Sequence, residues 1–96
     1  MRKSNQQSIG EVLKQYLQEN NLEKKLAHSN IINSWEELMG KVVANHTRKV
    51  YFSGNVLYVE LDSPALRNEL SYRKEDMRKK INAEAGEEIV REIVLK

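Results

Sequence analysis

Two runs rich in β-branched and aromatic residues, 47–52 and 57–61, flank a turn built from Ser53, Gly54 and Asn55. A two-residue loop at Gly54 and Asn55 fixes a hairpin register in which Phe52 faces Leu57, Tyr51 faces Tyr58 and Val50 faces Val59. Alternation along the strands then places Val50, Phe52, Leu57, Val59 and Leu61 on a buried face. Lys49, Tyr51, Tyr58 and Glu60 share the opposite one. A slip of one residue would turn every apolar side chain outward, so this hairpin constrains everything that packs on it.

The sequences before and after the hairpin read as helices. Ser8 and Glu11 form a capping box, and Ile9, Val12, Leu13, Tyr16 and Leu17 continue with helical spacing, predicting a helix over residues 8–19. Asn20 and Asn21 interrupt it. Leu22, Leu26, Ile31, Ile32, Trp35, Leu38 and Met39 carry a second helical segment, broken near Ser29, packed against the first and stopped at Gly40. Residues 41–45 add one helical turn before the first strand. Beyond the hairpin, Ser63 as N-cap with Pro64 at the first helical position opens a long helix to about Glu84, with Leu66, Leu70, Met77 and Ile81 on its inner stripe. Gly86 ends it. Residues 88–95 close the chain as a strand with Ile89, Ile93 and Leu95 inward and Val90 and Val94 outward.

A crossover through the long helix makes this strand parallel to the second strand of the hairpin. The fold class is therefore α+β, in the order ααββαβ, with a small three-stranded mixed sheet and helices packed on one face. A chain of 96 residues has material for one core. The expected organisation is a disordered N-terminus over residues 1–7 and a single domain over residues 8–96. No apolar run approaches the length of a membrane span, and the polar N-terminus does not read as a signal peptide. Cysteine is absent, which fits a cytoplasmic protein and removes thiol nucleophiles and Cys-ligated zinc together.

Catalysis finds little support. His28 and His46 are 18 positions apart with no acid-and-nucleophile set beside them, and Ser8 and Ser63 are needed as caps. Two isolated histidines make a poor metal site. The four glycines are dispersed and form neither a phosphate loop nor a dinucleotide fingerprint. We therefore expect no enzyme, no cofactor and no metal.

The net charge of +2, from 16 basic and 14 acidic residues, is too small to indicate nucleic acid alone, but its distribution is uneven. Residues 67–80 hold six bases against three acids. Glu69 with Arg73, Glu75 with Lys79 and Asp76 with Lys80 are favourable i, i+4 pairs. Arg67, Lys74 and Arg78 are left over, and on one continuous helix they fall within a narrow sector, the footprint of phosphate contacts. The alternative is a solvated face whose alkyl stems cover the core rim. On the sheet, Tyr51 and Tyr58 beside Arg48 and Lys49 have the composition of a surface that stacks single-stranded bases. The same face reads equally as an ordinary cross-strand pair. With Val90 and Val94 added, it reads as an apolar patch for a protein partner or a weak homodimer. Trp35 belongs with Ile31, Leu38 and Met39 on a core stripe.

Trp35, Gly40, His46 and Thr47, followed by Gly54, Leu57, Val59, Ser63, Pro64, Glu69 and Leu70, and then Val90, Ile93 and Leu95, occur in an order that resembles the DciA family of bacterial replication proteins. The resemblance covers nearly the whole chain from Ser8. It implies a KH-like fold, DNA binding and contact with the replicative helicase, in a protein that loads or operates that helicase. The GXXG clamp of RNA-binding KH domains is missing. The resulting expectation is a non-enzymatic DNA-binding accessory of replication in the cytoplasm. It would use Arg48, Lys49, Arg67, Lys74 and Arg78 for phosphates, and Tyr51 and Tyr58 for bases or a partner. A protein-interaction module without direct nucleic-acid contact, and an RNA-binding KH-like protein, are the alternatives.

Overall fold

The computed structural model describes residues 8–19 and 22–96. Its elements are α1 (Ile9–Glu19), α2 (Leu22–Asn33), α3 (Trp35–Met39), α4 (Lys41–Asn45), β1 (Thr47–Ser53), β2 (Val56–Leu61), α5 (Pro64–Ser71), α6 (Lys74–Ala85) and β3 (Glu92–Leu95). The three strands form one mixed sheet in the order β1-β2-β3. β2 runs antiparallel to β1 and parallel to β3, as the crossover requires. The chain is thus α+β, as the sequence predicts, with each predicted long helix divided in two. The predicted disorder of residues 1–7 and the interruption at Asn20 and Asn21 lie outside the described residues.

The hairpin register is the predicted one: Phe52 pairs with Leu57, Tyr51 with Tyr58 and Val50 with Val59. Leu57 and Val59 are fully buried and Leu61 nearly so, because β2 is the central strand and its inner face is covered by helices. Ile31, Trp35, Leu38 and Val43 from α2–α4 join Leu70, Met77 and Ile81 from α5 and α6 in the core against that face. Trp35 is core, as predicted, and its indole is also positioned by hydrogen bonds. Its Nε1 donates to the Thr47 hydroxyl at 3.0 Å, which in turn donates to the Val43 carbonyl at 2.6 Å, tying α3, α4 and β1 together. His46 closes the same junction by a 2.8 Å contact with Asp62 at the end of β2. The ring of His28 on α2 stacks on Phe52, with centroids 3.9 Å apart.

Several local expectations are corrected. The second helix breaks at Ser34, not near Ser29, because Asn33 and Ser34 have short polar side chains that suit helix ends better than interiors. The Ser8–Glu11 capping box forms, with Glu11 N–H donating to Ser8 Oγ at 3.1 Å and Ser8 N–H to Glu11 Oε1 at 3.3 Å. The stripe of α1, however, is not buried against α2: Ile9 is 87% exposed, and Val12 and Leu13 are about half exposed. The periodicity defines the apolar face of that helix, whereas the core is already closed by Ile31 and the residues after it.

The long helix after Ser63 is also two helices. Ser63 Oγ caps Leu66 N–H at 3.2 Å and Pro64 occupies the first turn, as predicted. Near the end of α5, Ser71 Oγ donates to the Asn68 carbonyl, competing with the helical ladder, and the backbone tightens as Arg73 N–H bonds to the Leu70 carbonyl. Tyr72 and Arg73 separate the helices. Finally, β3 starts at Glu92 rather than Glu88, and Val90 is fully buried rather than outward. Ile89 and Val90 are consecutive and both buried, which a regular strand in a sheet with one open face does not achieve. The Asn82 side chain makes this possible by accepting from the N–H groups of Ile89 and Val90 and donating to the Val90 carbonyl, at 2.9–3.0 Å.

Candidate nucleic-acid interface

Opposite the helices, the outer face of the sheet carries the residues that alternate with its buried set. Tyr51 and Tyr58, paired across the strands, lie with ring centroids 5.0 Å apart and planes within 8° of parallel. Such closeness follows from the directly opposed positions of an antiparallel pair. The Nζ of Lys49, two residues before Tyr51 and hence on the same face, lies 5.0 Å from the centre of the Tyr51 ring. The Nζ of Lys96 lies 5.1 Å from the centre of the Tyr58 ring and 3.5 Å from the Tyr51 hydroxyl. Two ammonium groups thus attend two stacked rings, at distances where the ring quadrupole attracts a cation. Arg48 is exposed at the register irregularity between Thr47 and Lys49. Glu60, opposite Lys49, and Glu92, two residues before Val94, are carboxylates of this face.

Lys96 was not singled out from the sequence. Its signal was parity: Tyr58 pairs with Val94, so Lys96, two residues further, shares that face. The register of a parallel strand joined through a long crossover is not fixed locally, which is why the residue was missed. The apolar patch expected here loses Val90 to the core, leaving Val94 half-buried beside Tyr58.

The helical basic residues do not join this face, since α5 and α6 pack on the other side of the sheet through Leu70, Met77 and Ile81. Nor do they form one stripe, because Arg67 lies on α5 whereas Lys74 and Arg78 lie on α6, beyond the break. Arg78 is compensated, contrary to expectation. Its Nε donates to Glu75 at 3.0 Å, its guanidinium also reaches the second oxygen of that carboxylate, and Glu88 lies 3.6 Å away. Hydrogen bonding to Arg78 holds the Glu75 carboxyl below its ordinary pKa and raises that of the guanidinium. Glu75 is therefore paired with Arg78 rather than with Lys79. Of the three predicted i, i+4 pairs, Glu69 with Arg73 is formed, at 3.5 Å. Arg67 is half-buried and Lys74 exposed, and neither makes an ion pair among the described residues.

The break between α5 and α6 leaves Tyr72 82% exposed. Leu38, Met39, Val43, Leu70 and Met77 floor a hollow of about 260 Å³ rimmed by Arg73, Asp76 and Lys80. Sequence reasoning missed this feature because it treated Tyr72 as a mid-helix residue. Among the described residues, no helix is long and apolar enough to cross a membrane, and no cluster of three His, Asp or Glu side chains could hold a metal.

Residues 8–95 match the family model described as Dna[CI] antecedent, DciA. The chain belongs to the DciA family. The match includes the Trp35 to Thr47 junction, both strands of the hairpin and β3, so the sheet face described above lies within the DciA region except for Lys96, one residue beyond it. A UPF0232 protein of Corynebacterium glutamicum (strain R) is 29% identical to this DciA chain over 87 residues, which is 91% of this chain and 49% of the relative. The chain thus spans about half the length of that curated relative.

Proposed function

We propose that this chain is a nucleic-acid-binding accessory of DNA replication that acts in the cytoplasm, without catalysis, by contacting DNA and the replicative helicase. Family membership supports the replication role, since DciA proteins are associated with loading that helicase. The observation that carries nucleic-acid binding is the pair of stacked tyrosines with an ammonium beside each. Lys49 and Arg48 supply phosphate contacts, while Tyr51 and Tyr58 supply the aromatic surface. Arg67 and Lys74 each supply a separate, weaker phosphate contact on the helical side, and Arg78 contributes less because two carboxylates engage it.

Salt titration of binding to single-stranded DNA, duplex DNA and RNA tests this reading. Phosphate contacts make log affinity fall linearly with log salt, and Lys49→Ala and Tyr58→Leu should each weaken single-strand binding. Undetectable binding at low salt, or binding indifferent to salt, would sink it. An RNA affinity above that for either DNA would redirect it to the RNA reading.

A protein-interaction module is the second reading, supported by exposed Tyr72 and by the apolar hollow over Leu70 and Met77. Exposed aromatic side chains and apolar hollows are the usual energetic centres of such contacts. Association with purified replicative helicase that survives nuclease and is lost in Tyr72→Asp would favour it.

A further inference from the structure

We infer that Lys96 is a nucleic-acid-binding residue that works as a unit with Tyr58, extending the sheet-face site from β1 across to the far edge at β3. The inference rests on the sheet face being the nucleic-acid interface proposed above. Three observations carry it.

The position of Lys96 is fixed by backbone rather than by its flexible side chain. Its N–H donates to the Val59 carbonyl at 2.8 Å and its carbonyl accepts from Leu61 N–H at 2.9 Å, so the residue continues the β2–β3 ladder one step beyond Leu95. Its stem must then rise from the same face as Val94 and Tyr58.

Its ammonium has no carboxylate partner within ion-pair reach among the described residues, in contrast to Arg73, Arg78 and Arg91. It lies instead near the Tyr58 ring and the Tyr51 hydroxyl. Neither contact neutralises the charge, so the cation is held in place and its full charge stays available to an anion.

Lys49 and Lys96 also stand at opposite edges of the sheet, one on β1 and the other following β3, in the row that has Glu60 at its centre, while Tyr51 and Tyr58 form the adjacent row with one ammonium near each ring. A single strand laid along the tyrosine row meets two aromatic rings, each with a cation beside it. Phosphates can then be held beside the nucleotides that touch the rings. The chemical class selected is a polyanion carrying separate, unpaired planar bases. In a duplex those base faces are already stacked.

Binding of an oligothymidylate of about 12 nucleotides, measured over a range of salt concentrations, decides the matter. Lys96→Ala is expected to make the log–log salt slope shallower by about 0.7, the share of one phosphate contact on a single strand, as Lys49→Ala should. Lys96→Arg should restore the slope. Tyr58→Leu should weaken binding by about 5- to 150-fold, the range for loss of a stacked base. In the Tyr58→Leu background, Lys96→Ala should have a smaller effect than in the native chain. All three positions, Lys49, Tyr58 and Lys96, lie outside the buried core, and unchanged thermal unfolding of each variant verifies the fold. If Lys96→Ala keeps the native slope and affinity while Lys49→Ala and Tyr58→Leu change them, the role of Lys96 is overturned and the sheet-face reading stands. If none of the sheet variants changes binding and Lys74→Ala does, the sheet-face reading falls and takes this inference with it.

Discussion

The side-chain amide of Asn82 on α6 binds both the N–H and the carbonyl of Val90, eight residues later. One side chain thus substitutes for a strand neighbour and holds the link between α6 and β3 in a shape that buries Ile89 and Val90 together.

Asn82→Ala removes three hydrogen bonds to partly buried backbone and leaves those groups unpaired. We expect a loss of about 2–4 kcal/mol. Urea unfolding should show a lower midpoint with an unchanged slope. Asn82→Asp should not restore stability at neutral pH, since a carboxylate can accept from the two N–H groups but cannot donate to the Val90 carbonyl.

Thr47→Val keeps the shape of the side chain and removes the acceptor of Trp35 Nε1. The indole N–H then lacks its partner in a region where Trp35 is only 5% exposed. A loss of about 1–3 kcal/mol is expected, whereas Thr47→Ser should retain most of the stability. Equal midpoints for the Val and Ser variants would show that the bond contributes nothing.

Gly40 adopts φ 91° and ψ 164°, a region essentially reserved for glycine, between α3 and α4. A Cβ there would meet no atom within 4 Å, so the penalty of Gly40→Ala comes from backbone conformation alone. It should cost about 1–3 kcal/mol. Gly86→Asn is the comparison: its φ of 77° and ψ of 8° lie in the left-handed helical region that asparagine tolerates, so the effect should be smaller.

His28, stacked on Phe52, has its pKa lowered below 6.5 by burial first and by nearby Lys24 second. The unfolded chain therefore takes up a proton on this residue at a higher pH than the folded chain does. The stability contributed by neutral His28 is complete above pH 6.5 and declines as the pH falls through 6.5 toward the lower folded value. Unfolding free energies measured across this interval should fall more steeply for the native chain than for His28→Phe. Parallel curves would refute the assignment.

Arg78→Ala should change the salt dependence of DNA binding less than Lys49→Ala does, because Glu75 and Glu88 already share the Arg78 charge. Equal changes in slope would mean that the guanidinium leaves its carboxylates when DNA binds.

These residues also show how far the sequence is legible. The hairpin register, the Ser63–Pro64 helix start and the Ser8–Glu11 capping box were readable because each depends on residues within a few positions. The break after Ser71 was not, since no Gly or Pro marks it and the competition comes from a single serine hydroxyl bonded to Asn68. The inward turn of Val90 was hidden because Asn82, which enforces it, is eight residues away on another element. In the candidate site, Tyr51, Tyr58 and Lys49 followed from strand alternation. Lys96 required the register of β3 against β2, which the packed fold alone supplies.

The placement of β2 between its immediate predecessor and a strand more than thirty residues later has a consequence for synthesis. A nascent chain that has reached Ala85 has α1 to α6 and the hairpin, yet Leu57 and Val59 still lack the neighbour that Ile93 and Leu95 provide. The central strand stays open along one edge until the final residues of the sheet emerge from the ribosome. The core is then completed as a late, cooperative event rather than element by element.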